Sequence, residues 1–418
     1  GAIITADDTR RYVVPSAPGK RFPKDTKVTD MLYACYESAA NGEDFSEQLD
    51  NIHARYQEII DGLNLDFSLD LDFVQIKENF SNKAGADYAA SRGECLNGKI
   101  MAAYLGFEFV DAAEVVRFND DGSFNDEVTN TLLSERLQDC KTAVIPGFYG
   151  AKKDGTIVTF SRGGSDITGS LVALAVQADL YENWTDVSGF LIADPRIVKN
   201  PKSIETITYK ELRELSYMGA SVLHEDAIFP VRKAGIPINI RNTNAPQDKG
   251  TLIVEGTCRQ PKYTITGIAG TDGFVAITVE KAMMNSEVGF CRKVLQVFED
   301  NGVSIEHMPS GIDTMSIFVN KDVFEEKEQK ILADIHKAVN PDHIELESNL
   351  ALIAVVGRGM KSTRGTAGRI FSALAHAHIN VKMIDQGSSE LNIIIGVRHD
   401  DFKNAIRALY EIFVLTQI

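Results

Sequence analysis

Long apolar runs, paired cysteines and an excess of positive charge are all lacking in this sequence of 418 residues. No run of about 20 apolar residues could span a bilayer. The N-terminus lacks the charged-then-apolar pattern of a secretory signal, so we expect a cytoplasmic protein that does not bind membranes. The five cysteines include no CxxC pair, which favours reduced thiols and no zinc site. A net charge of −16 argues against non-specific nucleic-acid binding, which depends on neutralising phosphates.

The length predicts two or three domains, because 418 residues exceed what a single hydrophobic core organises. Short apolar runs at residues 11–16, 110–113 and 142–146 are typical of parallel strands covered on both faces. Residues 45–80 alternate helical patterns with acidic turns, which predicts a helical insert that covers a site and shows no chemistry of its own. The sequence therefore predicts an α/β protein, and it contains no Walker-type phosphate loop.

The stretch with the most chemistry reads RGGSD and contains Arg162, Gly163, Ser165 and Asp166. Its two glycines let the backbone approach a ligand closely, because they carry no Cβ, and its arginine supplies a planar cation suited to a carboxylate or phosphate. The serine and aspartate fall at the start of a predicted apolar helix, whose free N–H groups favour an anion. The alternative is an ordinary strand-to-helix turn in which these two side chains only cap the helix.

A second polar stretch follows a predicted strand near residues 180–184. It reads WTDV from Trp184 to Val187, and an ADPR stretch that ends at Arg196 follows it. Open α/β sheets bind ligands at the carboxyl ends of their strands. We therefore expect the RGGSD and WTDV stretches to face one shared cavity.

The RGGSD, WTDV and ADPR motifs, in this order and at this spacing, resemble those of the aspartate kinases of the amino acid kinase superfamily. The resemblance implies an αβα sandwich with a mainly parallel open sheet over residues 1–250. It also implies that the γ-phosphoryl group of ATP, with Mg²⁺, is transferred to the side-chain carboxylate of L-aspartate. The product would be 4-phospho-L-aspartate, in the first step of lysine, threonine and methionine biosynthesis.

The same resemblance implies roles for single residues. Arg162 would clamp the substrate α-carboxylate, Asp166 would order the cations that face the phosphates, and Glu94 of an SRGE motif would meet the substrate ammonium group. The other residues of the aspartate pocket would be Ser16, Thr29, Phe148, Gly163 and Ser165. The residues bordering the nucleotide would be Thr185, Asp186, Leu191 and Arg196. Taken singly, Glu94 could equally be a solvated first-turn glutamate, Phe148 a core residue and Thr29 a helix cap.

Four features depart from the family pattern. Asp30 stands where many members have asparagine. Ser221 stands where a lysine near the nucleotide is common, so the positive charge would come from Lys199 or Arg196, or nucleotide affinity would be weaker. Leu191 stands where relatives often have tyrosine. Family members also begin with a strand ending in a KFGG-type turn, and no such turn precedes Arg11. We expect the sequence to begin after that strand rather than to represent a crippled enzyme.

The C-terminal part of the chain repeats itself. Residues 289–319 align without gaps to residues 365–395, at a constant offset of 76 residues. Each unit reads strand, helix, strand, turn, strand, and the upstream segment 263–269 predicts an additional strand. This order resembles ACT domains, ferredoxin-like modules that bind amino acids and regulate an attached enzyme. The resemblance implies one ACT domain at 273–348, inserted in a second ACT domain made of 263–272 and 349–418.

An effector site is implied by the same resemblance in the first repeat. Its residues would be Met284, Gly289, Ser304, Ile305 and Glu306. Lysine is the favoured effector, and we expect at least a homodimer, or a homotetramer, through the ACT domains. The alternative for these residues is a helix cap next to an ordinary strand.

Two other functions stay open. Another amino acid kinase, such as one acting on glutamate, is disfavoured by the paired repeat. A non-catalytic amino-acid sensor with a degenerate kinase half is favoured by the absent KFGG lysine and opposed by the retained RGGSD and WTDV motifs.

Overall fold

The computed structural model describes residues 1–161, 163–220, 225–257 and 261–416. The chain divides into two compact units, the first made of Gly1–Ser188 with Leu223–Glu255 and the second of Gly189–Val222 with Gly256–Ile418. Within the described residues, no helix is both long and apolar enough to cross a membrane. The described cysteines are free thiols.

The first unit is a mixed α/β structure. Its helices are α1 (Ala2–Thr5), α2 (Val28–Ala40), α3 (Ser46–Gly62), α4 (Asp70–Ser81), α5 (Ala86–Leu105), α6 (Ala112–Val115), α7 (Asp126–Leu137), α8 (Gly164–Ala175) and α10 (Glu225–Ala234). Its strands are β1 (Tyr12–Val13), β2 (Glu108–Phe109), β3 (Ala143–Val144), β4 (Tyr149–Ala151), β5 (Ile157–Thr159), β6 (Tyr181–Thr185), β8 (Ile238–Asn242) and β9 (Thr251–Val254).

Parallel pairing dominates the strands that carry the predicted site. β3 lies between β1 and β2 and is parallel to both, and β6 is parallel to β8, which also pairs antiparallel with β9. β4 and β5 form an antiparallel hairpin just before α8. The carboxyl ends of β1 and β6 therefore present Ser16 and Thr185 where such sheets bind ligands.

The predicted helical insert is present as α3 and α4. With α2 and α5 these helices enclose a hydrophobic core, whose largest fully buried side chains are Tyr56, Phe80, Leu32, Ile52, Ile60, Leu69, Ile76 and Leu96. Apolar residues recur at helical spacing on the facing surfaces, which is why these segments fold as helices against one another. Helix α5 ends at Gly106 in the left-handed conformation, at φ 68.

The second unit is built on one antiparallel sheet. Its strands, in the spatial order β11-β12-β10-β13-β15-β14, are β10 (Gly267–Glu280), β11 (Ile305–His307), β12 (Thr314–Asn320), β13 (His343–Val356), β14 (Met383–Asp385) and β15 (Asn392–Arg398). The short strand β7 (Thr206–Thr208) precedes α9. Its α-helices are α9 (Tyr209–Tyr217), α11 (Phe290–Asp300), α12 (Lys321–Glu325), α13 (Glu328–Val339), α14 (Thr366–His376) and α15 (Phe402–Tyr410). Short 3₁₀ turns at Met284–Ser286, Arg358–Ser362 and His399–Asp401, and a π-helical turn at Glu411–Leu415, complete it.

The repeat predicted from the sequence appears as two strand–helix–strand–strand sets on this sheet. The predicted extra strand at 263–269 and the next predicted strand instead form one strand, β10, which begins at Gly267. β10 pairs with β13 along its whole length, with register shifts between Asp272 and Ala276. The two sets thus have the long strands β10 and β13 in common. The sheets and helices thus fit the predicted αβα sandwich followed by a ferredoxin-like C-terminal region.

Candidate active site

The RGGSD stretch opens helix α8. Gly163 is the N-cap residue and has φ 57, in the left-handed region that favours glycine. Because this N-cap residue is a glycine, it offers no side chain to cap the helix, and Ser165 and Asp166 follow it in the first turn. Both side chains are half-buried at the first turn, where helix N–H groups favour an anion. Arg162, the predicted carboxylate clamp, lies outside the described residues.

The turn at Gly147 and Phe148 packs directly on the start of α8. A Cβ at Gly147 would lie 2.6 Å from Ser165 Oγ, and a Cβ at Gly164 would lie 2.7 Å from Phe148 Cδ2. Phe148 adopts φ 79, rare for a residue with a side chain. It is held there because its N–H donates to Thr168 Oγ1 at 3.2 Å. The close approach explains both glycines and places the Phe148 ring beside the RGGSD turn.

Ser16 and Thr29 both lie against helix α5. The N–H of Gly147 donates to the Pro15 carbonyl at 3.2 Å, so the neighbouring Ser16 lies next to the same turn. Asn97 Nδ2 donates to the Ser16 carbonyl at 2.6 Å. Thr29, on α2, has its Oγ1 3.7 Å from the position that a Cβ at Gly93 would occupy. The structure therefore brings these predicted pocket residues to the segment that carries Glu94.

Glu94 is buried, not solvated. It lies in the middle of α5, its side chain is 7% exposed, and it accepts a hydrogen bond from the Ala17 N–H. No described residue donates a hydrogen bond to its Oε2. Burial raises the pKa of Glu94 to about 7, against which the backbone hydrogen bonds act only in part. A buried carboxylate oxygen without a partner is costly, so it marks a place where a donor from a ligand would be stabilised.

Asp166 of the RGGSD stretch contacts the strand that leads into the WTDV stretch. Its Oδ1 accepts from Asn183 Nδ2 at 2.8 Å, and its carbonyl accepts from the Tyr181 hydroxyl at 3.2 Å. Both partners belong to β6, which ends at Thr185, and the Thr185 hydroxyl donates to Asp186 Oδ1 at 3.3 Å. The structure thus joins the RGGSD stretch to β6 and sets the Thr185–Asp186 pair at the carboxyl end of that strand.

A charged cluster around Trp184 was not predicted from the sequence. The indole lies between the guanidinium groups of Arg10 and Arg241, at 5.3 and 4.7 Å from the ring centroid, and its Nε1 donates to Glu182 at 3.2 Å. Glu182 also pairs with Arg10 at 2.6 Å and Arg241 at 3.3 Å. Burial alone would raise the pKa of Glu182, but these donors lower it below its ordinary value. The sequence signal for this cluster was Glu182, a charged residue inside a predicted strand.

Two predicted nucleotide residues belong to the second unit. Leu191 forms an isolated bridge with Ser203. Arg196 is exposed, and its guanidinium pairs with Asp194 at 2.7 Å. Their predicted role at the nucleotide stays a prediction, as does the role of Ser221, which lies outside the described residues.

The predicted effector residues lie on two neighbouring segments of the second unit. Met284 is buried in a 3₁₀ turn, and Gly289 is the N-cap of α11 at φ 83. Ser304 is exposed just before β11, which contains Ile305 and Glu306. The Glu306 carboxylate accepts a hydrogen bond from the Tyr217 hydroxyl of α9.

Two ion pairs in the loop between Met284 and Gly289, which joins two of the predicted effector residues, were also not predicted from the sequence. Glu287 accepts hydrogen bonds from Lys281 Nζ at 2.7 Å and Lys293 Nζ at 2.8 Å. These two bonds hold the pKa of Glu287 at about 2. The loop between Met284 and Gly289 is therefore organised by charge.

Among the described residues, no group of three or more His, Cys, Asp or Glu side chains converges closely enough to hold a metal ion. Mg²⁺ in nucleotide enzymes keeps several waters and is held by substrate phosphates with one or two carboxylates. Asp166 and Asp186, at the ends of elements that meet, are carboxylates of that kind. Their chemistry fits an ion that arrives with a nucleotide.

Comparison with known proteins gives consistent matches. The amino acid kinase family matches residues 6–242, and an ACT domain matches residues 353–413. Aspartokinase 3 of Bacillus subtilis is 40% identical over 427 aligned residues, which cover 98% of this chain and 94% of that protein. The crystal structure of Clostridium acetobutylicum aspartate kinase has 53% identity and a TM-score of 0.89, with 99% of this chain and 94% of that chain covered. That of E. coli aspartokinase III in complex with lysine and aspartate has 25% identity and a TM-score of 0.70, covering 98% and 94%.

Proposed function

The chain belongs to the aspartate kinases of the amino acid kinase family, ATP-dependent enzymes that act on aspartate, here with an ACT regulatory region; from this premise we propose how its residues divide the work. The aspartate pocket lies between the start of α8, the Gly147–Phe148 turn and the middle of α5. Its residues are Ser16, Thr29, Glu94, Phe148, Arg162, Gly163 and Ser165.

The single observation that carries this assignment is the buried oxygen Oε2 of Glu94, for which no residue that the structure describes supplies a donor. A substrate ammonium group supplies both the positive charge and the N–H donor that this oxygen lacks. Arg162, which lies outside the described residues, would hold the α-carboxylate in the bidentate manner that suits a guanidinium. The carboxylate of Glu94 and the cation proposed at Arg162 thus complement the two charges of a zwitterionic amino acid.

The reaction is transfer of the γ-phosphoryl group of ATP to the side-chain carboxylate of aspartate, which yields 4-phospho-L-aspartate. A carboxylate is already a nucleophile at neutral pH, so the residues contribute positioning and charge neutralisation rather than a general base. Asp166 and Asp186 would hold the Mg²⁺ that accompanies the nucleotide. Thr185 would border the nucleotide with Asp186, and Leu191 and Arg196 are proposed for the same ligand.

Regulation is proposed to be feedback by an amino acid at Met284, Gly289, Ser304, Ile305 and Glu306, with lysine favoured. The E. coli relative crystallised with lysine supports this choice. Glu306 offers a carboxylate to a cationic side chain. The pathway would be lysine, threonine and methionine biosynthesis, and the oligomer a homodimer or homotetramer formed through ACT domains at 273–348 and at 263–272 with 349–418. Residues 1–250 are the proposed catalytic domain.

A hydroxamate assay tests the function. Full-length protein is incubated with MgATP, hydroxylamine and either aspartate or glutamate, and the acyl hydroxamate is measured. Signal with aspartate is expected. Signal with glutamate alone would refute the aspartate assignment, and no signal despite intact amino-acid binding would support a sensor. Lysine, threonine and methionine added to the same assay identify the effector.

A further inference from the structure

An irregular loop connects two proposed contacts of aspartate. It runs over residues 17–27, between Ser16 after β1 and Thr29 in the first turn of α2, and reads APGKRFPKDTK. Most of its residues are exposed, and no regular secondary structure orders them. Fixing such a backbone has a large entropic cost. The loop is ordered in part from within, because Asp25 accepts hydrogen bonds from the Arg21 N–H at 2.9 Å and from Arg21 Nε at 3.1 Å. A contact from outside the loop is still needed to fix it against the helices that carry Thr29 and Glu94.

Arg55 of helix α3 ties the two ends of this loop together. Its side chain is 4% exposed, and Nη1 donates to the Thr26 carbonyl at 2.7 Å while Nη2 donates to the Gly19 carbonyl at 2.5 Å. Nη2 also lies 3.1 Å from Asp25 Oδ2. One rigid, planar guanidinium thus bridges backbone positions seven residues apart. A flexible ammonium group cannot satisfy both carbonyls in this geometry.

The next residue of α3 holds the opposite wall of the same pocket. Tyr56 is fully buried, and its hydroxyl donates to the Gly93 carbonyl at 2.8 Å. Gly93 precedes Glu94 and lies beside the Thr29 hydroxyl. Consecutive residues of the helical insert therefore reach both the loop that leads to Thr29 and the segment that carries Glu94.

We propose that Arg55 is a positioning residue for aspartate, which clamps the 17–27 loop so that Thr29 is fixed against the Gly93–Glu94 segment before substrate binds. The inference rests on the proposed function. Arg55 itself does not contact the substrate. Without the clamp, the carbonyl groups of Gly19 and Thr26 lose their donors and the loop gains conformational freedom. Aspartate must then order the loop when it binds, whereas the nucleotide, which is placed at the end of β6, is spared this cost.

The first test is steady-state kinetics of Arg55→Met, with Arg55→Lys and Asp25→Asn as milder variants. Arg55→Met is expected to raise the aspartate KM by about tenfold or more, with an ATP KM within about twofold of wild type. Arg55→Lys should fall between wild type and Arg55→Met, because it keeps the charge and loses the fork. Glu58→Gln is the matched control. It lies on the same helix, is 63% exposed and contacts the same loop through Arg21, and its kinetics should match wild type.

Limited trypsin digestion provides an independent readout of the clamp. The loop carries four basic residues, at positions 20, 21, 24 and 27, so cleavage within it reports how well it is ordered. Arg55→Met should be cut in the loop about tenfold faster than wild type, and aspartate should slow the cutting in both proteins. Thermal unfolding of each variant separates loss of the clamp from loss of the fold.

Two results would overturn the inference. One is an unchanged aspartate KM together with wild-type cleavage of the loop. The other is an equal rise of both KM values with faster cleavage throughout the chain, which would mean a purely structural role. Wild-type protein that neither phosphorylates aspartate nor is protected by it would instead overturn the proposed function, and aspartate positioning with it. A failure of the Arg55 inference can therefore be distinguished from a failure of the proposed function, because only the former leaves wild-type activity intact.

Discussion

Ionised Glu94 is expected to lower the stability of the folded protein and to bind the ammonium group of aspartate. The variant Glu94→Gln separates these two effects. The side chain is 7% exposed, and burial raises the pKa of Glu94 from 4.5 to about 7. Because the folded state holds the proton more tightly than the unfolded state, stability is lost as pH rises from about 4.5 to 7. The full loss is roughly 3 kcal/mol once the group is ionised.

Glutamine removes the charge and keeps an acceptor for the Ala17 N–H. If the amide nitrogen takes the place of Oε2, its N–H groups find no hydrogen-bond partner among the described residues. This unpaired amide lowers the stability of the variant by about 1 kcal/mol. Glu94→Gln should therefore be about 2 kcal/mol more stable than wild type at pH 8. At pH 4.5, where Glu94 is already protonated in the folded state, only the cost of the amide remains, and Glu94→Gln should be about 1 kcal/mol less stable than wild type.

Substrate binding should change in the opposite direction. Losing one partner of a buried charge pair weakens binding by at least about 2 kcal/mol, or about thirtyfold in aspartate Kd at pH 8. In wild type, aspartate affinity should fall as pH drops through 7, because the protonated Glu94 carboxyl no longer pairs with the ammonium group. In Glu94→Gln this pH dependence should be absent.

Two measurements check this. Denaturant unfolding is followed at pH 4.5 and 8 by fluorescence of Trp184, the single tryptophan of the sequence, and aspartate binding is measured by calorimetry at pH 6 and 8. Exposed Glu58→Gln is the control and should change neither quantity. A variant that is less stable than wild type at pH 8, or that binds aspartate equally well, would refute the reasoning.

Three other outcomes are expected. Arg358→Met should cost the second unit about 3 kcal/mol in denaturant unfolding, because fully buried Glu211 loses its cation at 2.9 Å; a loss under about 1 kcal/mol would contradict this. MgATP, unlike Mg²⁺ alone, should change Trp184 fluorescence saturably, and an unchanged spectrum would count against a nucleotide at the end of β6. Tyr217→Phe removes only the hydrogen bond to Glu306, so it should shift the lysine concentration for half-inhibition about threefold without changing the aspartate KM; an unshifted inhibition curve would exclude a regulatory role.

Periodicity and repetition made much of the fold predictable. The gapless repeat indicated the two matching sets of strands and helices, because the same apolar positions must face the same sheet. The strand predicted at 110–113 forms earlier, as β2, which is parallel to β3 and ends at Phe109. Asp111 then accepts a hydrogen bond from the Ala113 N–H and caps helix α6. A capped helix and a strand are competing structures for such an apolar segment, and the sequence alone does not show which one forms. β10 is longer than predicted because β13 pairs with it across the irregularity at Gly273.

The site was predictable where side chains carry the chemistry and not where backbone atoms do. The motif containing Glu94 was found, but its burial was not, since burial depends on packing by Ala17, Leu32 and Tyr56 from other segments. Arg55 was missed altogether, because its partners are carbonyl groups, which every residue has. A buried arginine in a helical insert gives no sequence pattern that distinguishes a clamp from an ordinary surface charge.

Helix α9 shows a further limit of the sequence. It was predicted within the kinase-like region, yet three of its residues at spacings of three bind the regulatory sheet and its loops. Glu211 pairs with Arg358, the Glu214 carboxylate accepts from Asn392 at 2.5 Å, and Tyr217 donates to Glu306. Residues three apart share one helix face. This face therefore fixes α9 to the ACT-type sheet at three separate points.

The position of α9 in the chain gives this attachment a consequence for regulation. The chain continues from α9 to α10, which packs on α8, where the Val231 N–H donates to Ser170 Oγ at 3.4 Å. Helix α8 begins at Gly164, between Gly163 and Ser165 of the proposed aspartate pocket. Within the second unit, a proposed effector that displaces β11 would act on α9 through the Tyr217–Glu306 bond.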